Sequence, residues 1–94
     1  MPVRQDAVRA AKNAAQITKR ISAIEARLRK FHDLISRIDK TLADPAAFSK
    51  DPAKAALLSA QRGELERLLV VAEEERLSLA GALDAAQETA ARIE

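Results

Sequence analysis

Two heptad repeats, one in each half of the chain, constrain its fold more than any other feature. The first begins at Ala7 and continues in alternating steps of three and four residues without a break. A repeat of this kind is typical of a coiled-coil seam, because a long helix cannot hide its apolar stripe alone. The positions of the first repeat are Ala7, Ala10, Ala14, Ile17, Ile21, Ile24, Leu28, Phe31, Ile35, Ile38 and Leu42.

The second repeat has the same alternation and mirrors the first. If the chain folds back on itself, the two repeats pair antiparallel, with Leu42 opposite Leu58 and Ala7 opposite Ile93. One register therefore satisfies both seams, and the sequence predicts an all-α fold, an antiparallel two-helix coiled-coil hairpin. The positions of the second repeat are Ala55, Leu58, Arg62, Leu65, Leu69, Ala72, Arg76, Leu79, Leu83, Ala86, Ala90 and Ile93.

Four segments follow from this fold. We expect a disordered N-terminus over residues 1–6 and a first coiled-coil helix over residues 7–43. A hairpin tip with a short helical turn then covers residues 44–52, and the second coiled-coil helix covers residues 53–94.

The tip has the sequence KTLADPAAFSKDPAK, in which Asp-Pro occurs twice. Asp44 and Asp51 are good N-cap residues, and each following proline suits the first position of a helix. Both Asp-Pro steps are therefore expected to start a helical segment. We expect Phe48 to fold back as a lid over apolar neighbours, namely Leu42, Leu57 and Leu58.

With these elements in place, residues 19–80 resemble the C-terminal coiled-coil hairpin of ABC-F-type ATPases. The similarity lies in the long basic first helix, in LADPAAF and DPAK at the tip, and in AEEERLSL in the second helix. The resemblance implies a domain that binds DNA or ribosomal RNA. ATP hydrolysis is not implied, because the chain has no Gly-rich phosphate loop followed by Lys. Arg76 stands where the family often has Trp. The coiled-coil arm of valyl-tRNA synthetases is a weaker likeness.

The charge distribution points toward the same function. Residues 1–40 hold ten Lys and Arg against four Asp and Glu, whereas residues 41–94 hold six against ten. On a heptad wheel most of the basic residues of the first helix form one flank, about 50 Å long at the helical rise. Such a flank suits a phosphate backbone, and binding through it is expected to be salt-sensitive and nonspecific. This basic stripe consists of Arg9, Lys12, Lys19, Arg20, Arg27, Lys30, Arg37 and Lys40.

Two alternatives stay open for these surfaces. The basic stripe is equally consistent with a solvated coiled-coil face, since coiled coils are rich in charge. A second apolar surface on the outer positions of the second helix favours instead a protein partner, or a homodimer that pairs two hairpins into four helices. This outer apolar face consists of Leu57, Val70, Val71 and Leu77.

Other functions are disfavoured by what the chain lacks. It has no Cys and one His, so no metal, cofactor or small-molecule substrate is expected. His32, beside the seam and facing Glu66, lacks the partners and the pocket that catalysis needs, and we expect no enzyme. No apolar run is long enough to span a membrane, and we expect a soluble, cytoplasmic protein. No aromatic residue is expected to be free to stack on bases, so recognition of single strands is disfavoured.

Overall fold

The computed structural model describes residues 2–92, with side chains for residues 5–92. Helix α1 comprises Pro2–Leu42, α2 comprises Ala47–Lys50 and α3 comprises Pro52–Arg92. No strand occurs in the described part of the chain. The prediction of an all-α helical hairpin is therefore confirmed, and pairing of two hairpins stays a prediction.

Helix α1 begins earlier than expected. Residues 2–6, for which the sequence predicts disorder, are part of this helix, and Met1 lies outside the described residues. Proline is tolerated at the first helical position because its missing N–H has no intrahelical partner there, and the following residues include no Gly or Pro. At the tip, α1 ends and α3 begins within one residue of the predicted positions.

Contacts between residues divide the chain into two units. The tip unit is Arg27–Glu73, and the terminal unit combines Met1–Ala26 with Glu74–Glu94, of which residues 2–26 and 74–92 are described. Each unit contains one segment of α1 and one of α3. In the tip unit, the connection of residues 43–51 is so short that these two segments run antiparallel.

The core of the tip unit is the seam that the heptads predict. Leu28 and Ile38 of α1 are buried, as are Ala55 and Ala72 of α3. Burying an aliphatic side chain of this size stabilises a fold by about 1.5–3 kcal/mol, so the larger residues hold the unit together. The other seam positions of this unit are half-buried, and they are Phe31, Ile35, Leu42, Leu58, Arg62, Leu65 and Leu69.

The terminal unit shows the same pattern with smaller residues. Ile17 and Ile24 of α1 and Leu79 and Ala86 of α3 are buried. Alanine occupies several of the remaining positions and buries little apolar area. The half-buried seam positions are Ala7, Ala10, Ala14, Ile21, Arg76, Leu83 and Ala90. The predicted pairing of Ala7 lies outside the described residues, because it involves Ile93.

Arg62 fixes the alignment of the two helices in the tip unit. Its Nε and Nη2 donate to the two carboxylate oxygens of Asp39 on α1, with 3.2 Å between Nη2 and Oδ2. Its Nη1 donates to Glu66, one turn further along α3. The predicted register places Arg62 opposite Ile38, the neighbour of Asp39, so this two-pronged contact agrees with that register.

The two Asp-Pro steps of the tip have different roles. Asp51 caps α3, since its Oδ1 accepts from the Lys54 N–H at 3.1 Å and Pro52 opens the helix. Asp44 does not cap α2, which has Ala46 at its N-cap and no side-chain cap. Asp44 Oδ1 instead accepts from the Ala46 N–H at 3.0 Å and closes a local turn before the helix starts.

Phe48 is the main departure from the predicted tip. Its exposed fraction is 52%, and none of the α2 residues is buried. The prediction that Phe48 folds back as a lid over Leu42, Leu57 and Leu58 is therefore wrong. The half-buried residues of this segment are Ala46 and Ala47, so the small side chains face the hairpin and the aromatic ring faces solvent.

Two glycines inside α3 generate a prediction about stability. Neither has a positive φ, and a Cβ would meet nothing within 4 Å at Gly81 and only the Arg67 Nη1, at 3.8 Å, at Gly63. We expect Gly63→Ala and Gly81→Ala each to raise the free energy of unfolding by about 0.5–1 kcal/mol, because alanine loses less backbone entropy in a helix. Urea denaturation followed by circular dichroism measures the change.

The matched control for the glycine variants is Ala60→Gly, at an exposed position of the same helix. It should lower the free energy of unfolding by a similar amount. A loss of stability in Gly81→Ala contradicts the open surroundings described for that glycine.

The contact between Arg62 and Asp39 predicts a pH dependence. The hydrogen bond from Arg62 lowers the pKa of Asp39 below its ordinary 3.8, so the folded chain binds fewer protons than the unfolded chain near that pH. The stabilisation is therefore complete above pH 3.8 and is lost as pH falls through the lowered pKa. Urea midpoints of the wild type and of Asp39→Asn should differ at pH 7 and converge on acidification below about pH 4.

The control for this pH dependence is Asp33→Asn. Asp33 pairs with Arg37 inside α1 at 3.1 Å and does not link the two helices. At pH 7 the urea midpoint of Asp33→Asn should differ from that of the wild type by less than the midpoint of Asp39→Asn does, as expected of an exposed intrahelical pair. A difference between the wild type and Asp39→Asn that stays constant from pH 7 to pH 2 contradicts the prediction.

Candidate functional site

The residues of the basic stripe fall in both units. In the terminal unit all four members are exposed, and none has a hydrogen bond or ion pair to another described residue. Their charges are thus available to a partner. These members are Arg9, Lys12, Lys19 and Arg20.

In the tip unit the stripe comprises Arg27, Lys30, Arg37 and Lys40, all exposed. Arg37 pairs with Asp33 one turn earlier in α1, at 3.1 Å. The other three have no such contact within the described part of the chain. Asp33 therefore neutralises part of the stripe, and Arg27, Lys30 and Lys40 carry most of its available charge.

Two exposed basic residues of α3, unlike most of the stripe, form ion pairs within their helix. Arg67 pairs with Glu64 at 2.6 Å and Arg92 pairs with Glu88 at 2.8 Å, each within the helix. Glu66, which the sequence places opposite His32, is instead a partner of Arg62. Intrahelical pairing therefore neutralises exposed cations of α3 more than those of α1.

The outer apolar face is exposed at every position. In the tip unit Leu57, Val70 and Val71 all expose more than half of their surface, with Val71 at 61%. Leu77 of the terminal unit is equally exposed. A shallow depression on α3 is lined by Val70 and Val71 together with Gly63, Glu66 and Arg67. More than half of the surface of each of the four apolar side chains therefore lies outside the packing of its own unit.

A groove of about 410 Å³ lies between α1 and α3 in the tip unit, and Arg37 is the one member of the two predicted surfaces that lines it. Its floor contains Ile38 and Leu65, and Arg37 of the basic stripe lies at its wall. Sequence reasoning assigned the two surfaces to separate helices. The groove shows that, in this unit, a basic residue of α1 shares an apolar depression with α3. Its remaining lining residues are Leu34, Gln61 and Glu64.

A smaller cleft, of about 200 Å³, lies at the tip. Lys50 and Lys54 line it beside the carboxylates of Asp44 and Asp51. Both carboxylates accept a backbone hydrogen bond, whereas the two ammonium groups have no partner among the described residues. The other lining residues are Thr41, Ala46, Ala47, Ala55 and Leu58.

Two structural features differ from what the sequence predicts. The exposure of Phe48 overturns the expectation that no aromatic is free to stack on bases. The bridge from Arg62 to Asp39 was also missed, although a charged residue at a seam position signals a need for a partner. No group of His, Cys, Asp or Glu in the described residues is arranged to hold a metal ion. None of the described helices has the length and apolarity that crossing a membrane requires.

Comparison with known proteins gives no assignment. No protein-family model matches the chain, and neither a curated protein nor a solved structure is significantly similar to it.

Proposed function

We propose that the chain is a non-enzymatic helical hairpin that binds the phosphate backbone of nucleic acid, duplex DNA or ribosomal RNA, through the basic stripe of α1. The observation that carries the proposal is the contrast between the helices. Among the described residues, seven of the eight stripe cations of α1 have no ion pair, whereas Arg67 and Arg92 of α3 are neutralised within their helix. The resemblance of residues 19–80 to the hairpin of ABC-F-type ATPases supports the same function.

Phosphate binding through unpaired lysines and arginines follows from simple electrostatics. Each ammonium or guanidinium that meets a phosphate releases condensed counterions, so affinity falls steeply as salt rises. The exposed stripe residues offer no hydrogen-bond pattern that is fixed by packing. The contact therefore holds the backbone without reading the base sequence.

The test is a filter-binding titration against a duplex of about 30 base pairs at several salt concentrations. The logarithm of the binding constant should fall linearly with the logarithm of salt, with a slope of about −0.9 for each phosphate neutralised. Exchanging the tip-unit members Arg27, Lys30, Arg37 and Lys40 for Gln should weaken binding and make the slope shallower. The same exchange of the terminal-unit members measures their contribution to the binding constant and to the salt slope separately.

The matched control exchanges Arg67 and Arg92, which are already paired, for Gln, and is compared with the exchange of Lys30 and Lys40, which removes the same two charges from the stripe. Binding by the variant of Arg67 and Arg92 should stay closest to that of the wild type. Absence of binding at low salt, or an affinity that does not change between low and physiological salt, refutes nucleic-acid binding through the stripe.

A second candidate function is self-association through the outer apolar face of α3, which would yield a four-helix homodimer. The specific observation is that no described side chain is fully buried, while Leu57, Val70 and Val71 lie exposed on one helix of the tip unit. A two-helix hairpin buries too small a fraction of its surface to be very stable alone. A second copy would cover these residues with an identical face, as a two-fold dimer does.

Sedimentation equilibrium tests the homodimer. We expect a mass near twice 10.2 kDa at high concentration, and a monomer for the variant in which Val70 and Val71 are both Lys. The control is Val8→Lys, at an exposed apolar position of α1 outside this face. A wild-type chain that stays monomeric at the highest concentration measured excludes the homodimer and leaves the nucleic-acid proposal untouched.

A further inference from the structure

The tip carries an aromatic ring that is about half exposed to solvent. Phe48 exposes 52% of its surface, whereas Phe31, the other phenylalanine, is half-buried in the seam. A side chain of this size stabilises the fold little when half of it remains in water. The position is therefore open to contact with another molecule.

Hydrogen bonds hold Phe48 in this outward position. The Ala47 N–H donates to the Asp44 carbonyl at 3.0 Å, and the Lys50 N–H donates to the Ala46 carbonyl at 2.8 Å. The Ser49 hydroxyl also donates to that carbonyl, at 3.2 Å. With Ala46 and Ala47 turned toward the hairpin, the turn presents the ring of Phe48 before any partner arrives.

The tip has a small excess of positive charge, since residues 40–54 hold three Lys against two Asp. Lys50 lies two residues from Phe48 on the same short helix, and Lys54 faces the same cleft as Lys50. The ammonium groups have no partner among the described residues, while Asp44 and Asp51 are engaged by backbone N–H groups. An exposed aromatic ring and two lysines without a partner in one short tip match a nucleobase and its phosphates, because the base can stack on the ring and long lysine side chains can reach the phosphates.

We propose that the tip binds an unpaired nucleobase, with Phe48 stacked on the base and Lys50 and Lys54 in contact with the adjoining phosphates. The proposal rests on the nucleic-acid function given above and extends it. The stripe contacts the phosphate backbone of paired strands, and the tip contacts an unpaired base. The chemistry is the same for DNA and RNA, which both supply the base and the phosphate.

Two otherwise identical duplexes, one fully paired and one with a single bulged adenine, test the tip in DNA and in RNA. The wild type should bind the bulged duplex more tightly than the paired one. Phe48→Ala should weaken binding to the bulged duplex roughly tenfold, the size of one stacked base, and leave affinity for the paired duplex unchanged. The matched control is Val8→Ala, which removes an exposed apolar side chain elsewhere and should change neither affinity.

These titrations separate the two proposals. If the wild type binds both duplexes equally and Phe48→Ala does the same, the tip proposal is wrong and the stripe proposal stands. If the wild type binds neither duplex at low salt, the stripe proposal fails as well. Circular dichroism of Phe48→Ala establishes that the hairpin is intact, as expected for an exposed residue.

A spectroscopic measurement tests the stack directly. The chain has no Trp and no Tyr, so Phe48→Trp places one tryptophan, at the tip, whose emission reports its surroundings. Addition of the bulged duplex should quench this emission, and 2-aminopurine placed in the bulge should be quenched in turn. A blue shift with anionic lipid vesicles and no response to the bulged duplex shows that the tip meets a membrane surface instead, and overturns the proposal.

Discussion

The hairpin depends on one narrow apolar seam. Each long helix buries a stripe of alternating heptad positions, and the side chains that lie deepest are leucines, isoleucines and alanines such as Leu28, Ile24 and Ala72. Because two helices can shield only one face of each other, most of the remaining surface stays in water. Most of the described residues that a partner could contact therefore lie on exposed surface.

This constraint explains why the fold could be predicted from the sequence and why the tip could not. A seam repeats, so each of its positions supports the others, and the described seam residues are all buried or half-buried. The second Asp-Pro step marks the start of α3, where Asp51 accepts from the Lys54 N–H, whereas Asp44 of the first step caps no helix. Phe48 lies between those steps, in a segment without a repeat. Hydrophobicity alone suggested burial there, whereas the local turn decided the direction of the ring.

The candidate surfaces were predictable to a similar degree. Exposure of the basic stripe follows from its heptad positions, but the pairing of Arg37 with Asp33 depends on rotamers that a wheel does not give. The groove lined by Arg37, Glu64 and Leu65 is a property of two helices together. Sequence reasoning about one helix at a time therefore could not predict this groove.

The contact between Arg62 and Asp39 has a consequence for how such a chain can change in length. A guanidinium at a seam position is well placed only opposite a carboxylate on the other helix. Sliding α3 by one heptad would put Arg62 opposite Phe31 or Pro45 and separate it from Asp39. Seven residues inserted between Asp39 and the tip would therefore require seven more between the tip and Arg62. Growth or shortening of the hairpin on the tip side of this pair must occur in matched steps on both helices, while the loop that joins them is free to vary.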